Sequence, residues 1–193
     1  MDNPHKLNQV FAAFFTEWAL SNLTSSKSAL FVTTTFEHES EMRCRRETAG
    51  LSLGSYEMRA FQHLYNRIAR ALVGSNYNRP SKRDRLPRVA CFLDSEGSKF
   101  WRSAGDTKNI HQHSIWVVEK EEIDILKDGL DLMGRDGDFF RNLGFDEIDV
   151  REIGDGYDDL SRVVTYASKH VGFDTRDLKL GTGFEFYPLG VSY

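Results

Sequence analysis

Three short stretches of this sequence carry side chains whose types and spacing could do chemistry. The first is His111, Gln112 and His113, leading into Ser114, Ile115 and Trp116. In an extended strand, residues i and i+2 project from one face, so the two imidazoles stand side by side while Gln112 points away. Two neutral imidazoles on one face supply half or more of a divalent metal site, completed by a carboxylate and open water positions. The same pattern also describes a pair of surface histidines, or one buried histidine with a backbone partner. In the second stretch, Tyr166 and Lys169 stand at i and i+3, about one turn apart on a shared helix face. A phenol is a poor nucleophile at neutral pH because its pKa is about 10. A neighbouring ammonium favours the phenolate and can stabilise charge on a phosphate under attack. The plain alternative is an amphipathic helix whose tyrosine packs and whose lysine points into water. The third stretch is Phe31, Val32, Thr33, Thr34 and Thr35, β-branched and aromatic enough for a buried strand.

These side chains need elements to hold them. Apolar residues at helical spacing predict an amphipathic helix over 4–23 and another over 56–73. Strands are expected over 29–36, 89–93 and 110–118, with a further one over 145–153. The charged segment 37–54 and the polar, basic segment 76–87 read as loops, as does 95–109. Further helices are expected over 121–133 and 157–171, with a turn at 134–137. Glycines at 181, 183 and 190 make the C-terminal tail irregular or an edge strand. Helices and strands alternate without the sustained rhythm of a doubly wound sheet, and neither GxGxxG nor a Walker loop occurs. The class this predicts is α+β, a central antiparallel sheet covered by helices.

The 193 residues suit one domain, with 40% hydrophobic and 28% charged residues, a balance that excludes a disordered chain. We divide it into an N-terminal helix (1–27), a core (28–173) and a C-terminal tail (174–193). No apolar run approaches the roughly 20 residues of a membrane span, and no secretory leader is recognisable, so no membrane partner is expected. Cys44 and Cys91 form no framework, which fits a reducing cytoplasm. The net charge of −4 conceals an asymmetry. Residues 43–88 hold eleven Lys and Arg against three acids, whereas 119–159 hold five against fifteen. Such halves fit a protein with one surface facing a polyanion; equally, they fit solvated faces that pair with each other.

Taken together and in this order, the FxTxT strand, the HxH strand and the late YxxK helix resemble the three signature motifs of HUH endonucleases. These are the rolling-circle replication initiators of small plasmids, single-stranded DNA viruses and phages, with relatives among relaxases and transposases. The resemblance runs from about residue 30 to 170, although some fifteen residues carry it. It implies a ferredoxin- or RRM-like core in which His111 and His113 hold Mg²⁺ or Mn²⁺ and Tyr166 attacks a scissile phosphate. The products would be a 5′-phosphotyrosine link and a free 3′-OH, and Lys169 would position the phosphate or tune the tyrosine. It implies a third, acidic ligand on the strand before the HxH: Asp94, with Glu96 the second choice and Glu37, His38 and Glu39 as fallbacks. A single tyrosine resembles the single-tyrosine initiators. Two departures are Gln112, where the family usually has an apolar residue, and His170, where a tyrosine often follows the lysine.

The implied partner is a single-stranded or hairpin DNA origin, with unwinding left to a host helicase because no Walker motif is present. Arg43, Arg45, Arg46, Arg79, Lys82, Arg83, Arg85 and Arg88 would bind its phosphates, and the acidic stretch would lie on the opposite side. Tyr77, Phe100 and Trp101 are candidates to stack on bases. Two other classes stay open: a nucleic-acid-binding module with a vestigial metal site, and a metallophosphodiesterase that uses water and leaves Tyr166 incidental.

Overall fold

Strand alternation and helical stripes assemble into a sheet with two differently covered faces. The computed structural model describes residues 4–95, 110–135, 137–154, 156–171 and 183–189, with side chains from residue 8 onward. The chain runs α1 (Pro4–Asn22), β1 (Lys27–Phe36), α2 (Glu39–Ala49), α3 (Ser55–Val73) and β2 (Arg88–Ser95). It continues through β3 (Ile110–Glu119), α4 (Ile123–Gly129), α5 (Gly137–Asn142), β4 (Phe145–Glu152), α6 (Tyr157–Ala167) and β5 (Phe184–Tyr187). The strand order is β4-β1-β3-β2-β5, and every pairing is antiparallel. Its first four strands reproduce the split βαβ arrangement of ferredoxin-like folds, in which each crossover skips over an antiparallel neighbour. The expected α+β class with a central antiparallel sheet holds.

Alternation sorts the strand residues. Leu30, Val32, Trp116, Val118, Val89, Cys91 and Leu93 face α3, α4 and α5, where Phe61, Leu64, Ile68, Leu126 and Phe140 fill the larger core. Trp116 is fully buried there, its indole N–H donating to Ser114 Oγ at 2.9 Å. The opposite face carries Phe31, Ile115, Ala90 and Phe92, covered by α1 and α6 through Phe15, Trp18, Leu160, Val164 and Ala167. Phe15 meets Phe92 and Phe184 edge-on at 4.7 and 5.1 Å between ring centroids, an arrangement the aromatic quadrupole favours. α1 therefore belongs to the core, and Phe184–Tyr187 forms the edge strand β5.

Several local expectations change. Segment 37–54 is not a loop: α2 occupies Glu39–Ala49, ending at Gly50 in the left-handed conformation (φ 64°). Its helical stripe is invisible in sequence because the buried residues on it are Met42 and Arg46. α5 begins at the last residue of the expected 134–137 turn, α4 is shorter than 121–133, and 76–87 contains a 3-10 turn at Pro80–Arg85. α6 stops at Ala167 instead of continuing to 171, so Lys169 and His170 lie in the turn beyond it. Beyond Ala167 the bonds tighten to the i→i−3 kind, Lys169 N–H to Tyr166 O at 3.4 Å and Val171 N–H to Ser168 O at 2.9 Å, and Asn8 Nδ2 of α1 donates to the Ser168 and Val171 carbonyls (2.9 and 3.3 Å), fastening this turn to α1.

Candidate metal centre

The centre is built by register. Asp94 stands directly opposite His111 across β2 and β3, while Thr35 faces His111 and Thr33 faces His113 across β1 and β3. Pleating sends all of these to the α1/α6 face, and Gln112 goes to the other. There its side chain is satisfied, accepting from Thr34 Oγ1 (3.0 Å) and donating to Glu57 O (2.9 Å). A polar residue at the middle of the HxH thus belongs to the opposite core and leaves the histidines unaffected.

Asp94 Oδ2 lies 3.1 Å from Nε2 of both His111 and His113, and all three donor atoms fall within 4.8 Å of one another. Adjacent ligands of a six-coordinate ion with bonds of about 2.1 Å are about 3.0 Å apart, so the Asp94–His spacings suit a shared divalent cation. One carboxylate oxygen and two imidazoles form a mixed donor set that first-row divalent ions accept. Thr33 Oγ1 sits 3.2 Å from His113 Nδ1, holding the ring nitrogen that faces away from the centre, and the Phe31 ring stacks on His113 at 5.2 Å. The FxTxT strand therefore orients a ligand, the kind of outer contact that fixes an imidazole's tautomer.

The electrostatics favour ligation. Burial alone would raise the Asp94 carboxyl, but contacts from His111, His113 and His170 outweigh it and hold the group well below the usual carboxylate range. Burial lowers His113 despite its bond to Asp94, which favours the neutral ring that metal ligation needs. Two further groups reach the same carboxylate. Lys169 Nζ is 2.7 Å from Oδ2, and His170 Nε2 is 2.9 Å from Oδ1, a short contact at an angle poor for a hydrogen bond. Neither role is legible in the sequence, because Lys169 and His170 reach Asp94 from a turn beyond α6 that Asn8 of α1 fastens.

Tyr166 is 45% exposed at the end of α6, its ring 4.9 Å from that of His113 and 6.2 Å from Phe31. Lys169 lies beside it with Nζ 4.5 Å from the ring centroid, although the two do not share a helix face. A cleft of about 1140 Å³ opens here, lined by Phe31, Thr33, Thr35, His111, His113 and Tyr166. Its far wall is β4, carrying Asp146, Glu147, Asp149 and Glu152 with Arg151, and Arg162 reaches in from α6. The 146–152 part of the acidic stretch thus flanks the site, contrary to the expectation that the stretch lies opposite.

The basic candidates separate. Arg45 pairs with Glu37 at 2.8 Å and donates to the carbonyls of Asn142 and Arg141, and Arg46 is buried between Glu39 and Glu57; both guanidinium groups are engaged inside the fold. Arg43 is exposed on α2. Arg79, Arg83 and Arg85 are exposed and Lys82 and Arg88 half-buried at the opposite end of β2 from Asp94, about 20 Å along a six-residue span of strand. Tyr77 packs partly against the larger core. Of the fallback ligands, Glu37 and Glu39 are held by arginines, and His38 caps the N-terminus of α2 at the edge of the cleft. Glu96, Phe100 and Trp101 lie outside the described residues.

Fold and donor set together define a ferredoxin-like α+β domain with a candidate His–His–Asp metal centre beside an exposed tyrosine. Neither a protein-family model, nor a curated protein, nor a solved structure matches the chain. Among the described residues, no helix is long and apolar enough to cross a membrane.

Proposed function

We propose that this chain is a metal-dependent, single-tyrosine DNA nickase and strand transferase of the HUH type. The observation that carries the reading is the convergence of the Asp94–His111–His113 donors with the exposed Tyr166, whose ring lies 4.9 Å from His113. When bound, Mg²⁺ or Mn²⁺ supplies Lewis-acid polarisation of the scissile phosphate. Tyr166 Oη attacks the phosphorus, the P–O3′ bond breaks, and the phenolic proton is exchanged for one taken up by the departing 3′ oxygen. The phosphotyrosine ester conserves the phosphodiester's energy, so a 3′-OH can reverse the step and join strands without ATP. Lys169 stabilises negative charge on the phenolate or on the phosphate. The biological setting that best suits this chemistry is initiation of rolling-circle replication on a plasmid or phage, with relaxase and transposase roles sharing every step.

The β4 carboxylates repel a phosphodiester, so the strand must enter away from that wall, and Arg79, Lys82, Arg83, Arg85 and Arg88 would engage flanking DNA instead of the scissile phosphate. The test is a covalent-adduct assay on labelled single-stranded and hairpin DNA in Mn²⁺ or Mg²⁺, read on a denaturing gel. The expected result is a protein–DNA band that disappears in Tyr166→Phe and in His111→Ala. Cleavage without an adduct would replace this reading by the water-using phosphodiesterase. Binding that survives Tyr166→Phe, with no cleavage of any substrate, would replace it by a binding module.

A further inference from the structure

Asp94 has two carboxylate oxygens, and the fold gives them different partners. Oδ1 accepts the Ser95 N–H at 2.8 Å and lies 2.9 Å from His170 Nε2, which turns it toward the protein. Oδ2 faces both imidazoles at 3.1 Å, and the Lys169 ammonium lies 2.7 Å from it. Lys169 is therefore seated on the oxygen that a cation shared with His111 and His113 has to use. Both side chains are inside the protein, Lys169 at 8% exposure and Asp94 at 0%. An ammonium and a divalent cation on one buried oxygen repel far more strongly than they would in water, so both cannot hold Oδ2 at full strength.

The lysine also has somewhere else to go. Nζ already lies 4.5 Å from the Tyr166 ring centroid, and a flexible four-carbon stem can swing its end from carboxylate to phenol without moving the backbone. The backbone itself is pinned, since Asn8 holds the carbonyls of Ser168 and Val171 on either side of the lysine.

We infer that Lys169 is a built-in competitor at the cation site: it holds Asp94 Oδ2 when no divalent ion is bound, and it moves toward Tyr166 when one is. The competition stands on this geometry alone, and the value of moving the ammonium to Tyr166 rests on the nicking reading. Ions that bind imidazole strongly displace the lysine most readily, so Mn²⁺ outcompetes Mg²⁺ here.

The test is calorimetric titration of the full chain with Mn²⁺ and with Mg²⁺. Lys169→Met keeps the length of the side chain and removes its charge, and it should bind Mn²⁺ about tenfold or more tightly than the wild type. Lys169→Arg keeps the charge and should bind no more tightly than the wild type. Equal or weaker Mn²⁺ binding by Lys169→Met would overturn the inference, because a supporting residue, unlike a competitor, weakens binding when removed. If Lys169→Met does not fold, ¹⁵N-lysine spectra of the wild type decide instead. The Lys169 ammonium signal, assigned by its loss in Lys169→Arg, should shift on saturation with diamagnetic Mg²⁺, and an unmoved signal would overturn the competition. Failure of wild type and variant alike to bind either ion would remove the cation site and the inference with it. Tighter Mn²⁺ binding by Lys169→Met, with no DNA adduct formed by the wild type, would support the competition and count against nicking.

Discussion

Two buried charged clusters sit on opposite faces of one sheet, and they are built to different rules. On the α3 face, Arg46 donates from Nε to Glu57 at 2.8 Å and, with both terminal nitrogens, to Glu39 at 2.8 and 3.0 Å. Glu57 Oε2 accepts the Gly54 N–H at 2.7 Å, so this cluster closes on itself. On the α1/α6 face, a single carboxylate, Asp94, is approached by His111, His113, Lys169 and His170, with the exposed Tyr166 alongside. One cluster matches donors to acceptors; the other crowds four basic side chains around one acid at the edge of an open cleft. The difference separates a structural ion network from a site: a saturated buried network fastens α2 to α3, whereas an oversupplied one is arranged to exchange partners.

The largest expected effect separates the two clusters outright. Tyr166→Phe should abolish the DNA adduct while leaving the denaturation midpoint unchanged, since the phenol is 45% exposed. A residual adduct in that variant would place the nucleophile elsewhere. Arg46→Met should do the reverse. It leaves Glu57 buried without its guanidinium and should cost about 3 kcal/mol by chemical denaturation, with cation binding at Asp94 retained. A stable Arg46→Met protein would make the first cluster dispensable and weaken the contrast.

Acidification should also distinguish them. Burial keeps the folded His113 ring below its ordinary value of 6.5, so below that pH the unfolded chain binds the extra proton and stability falls. Asp94, held low, contributes fully above its unfolded value of 3.8 and loses that contribution only in stronger acid. In the other cluster, the bond from Arg46 lowers Glu39, and the paired acids raise Arg46 despite burial, so neither titrates between pH 5 and 7. Without divalent ions, urea midpoints should therefore fall from pH 7 to 5, by at most about 1.4 kcal/mol per pH unit for one proton. His113→Asn should flatten that slope and Arg46→Met should not. The smallest effect belongs to Asn8→Ala. Losing the two carbonyl contacts should cost about 1 kcal/mol and slow adduct formation several-fold by loosening the turn that carries Lys169.

Sequence by itself determined what depends on local periodicity. The i, i+2 rule put His111 and His113 on one face, strand composition marked 29–36 and 110–118, and apolar stripes marked α1 and α3. The family resemblance implies Asp94 as a third ligand, and the register of β2 on β3 places it opposite His111. What escaped the sequence depends on distant partners. α2 was unreadable because its buried face includes an arginine whose acids are contributed by Glu39 and by α3. The turn after α6 is not marked in the sequence, and the side chain that fastens it, Asn8, lies 160 residues from Ser168. Charge partners are hidden for the same reason: Arg45 and Arg46 look like a phosphate-binding pair in one dimension, yet each is held by carboxylates in three. Only the tertiary structure could decide that β4 brings its acids beside the site, and that Lys169 and His170 divide the oxygens of Asp94 between them. Periodicity fixes which way a side chain points, but its charge partner is set by chain crossings that no local spacing encodes.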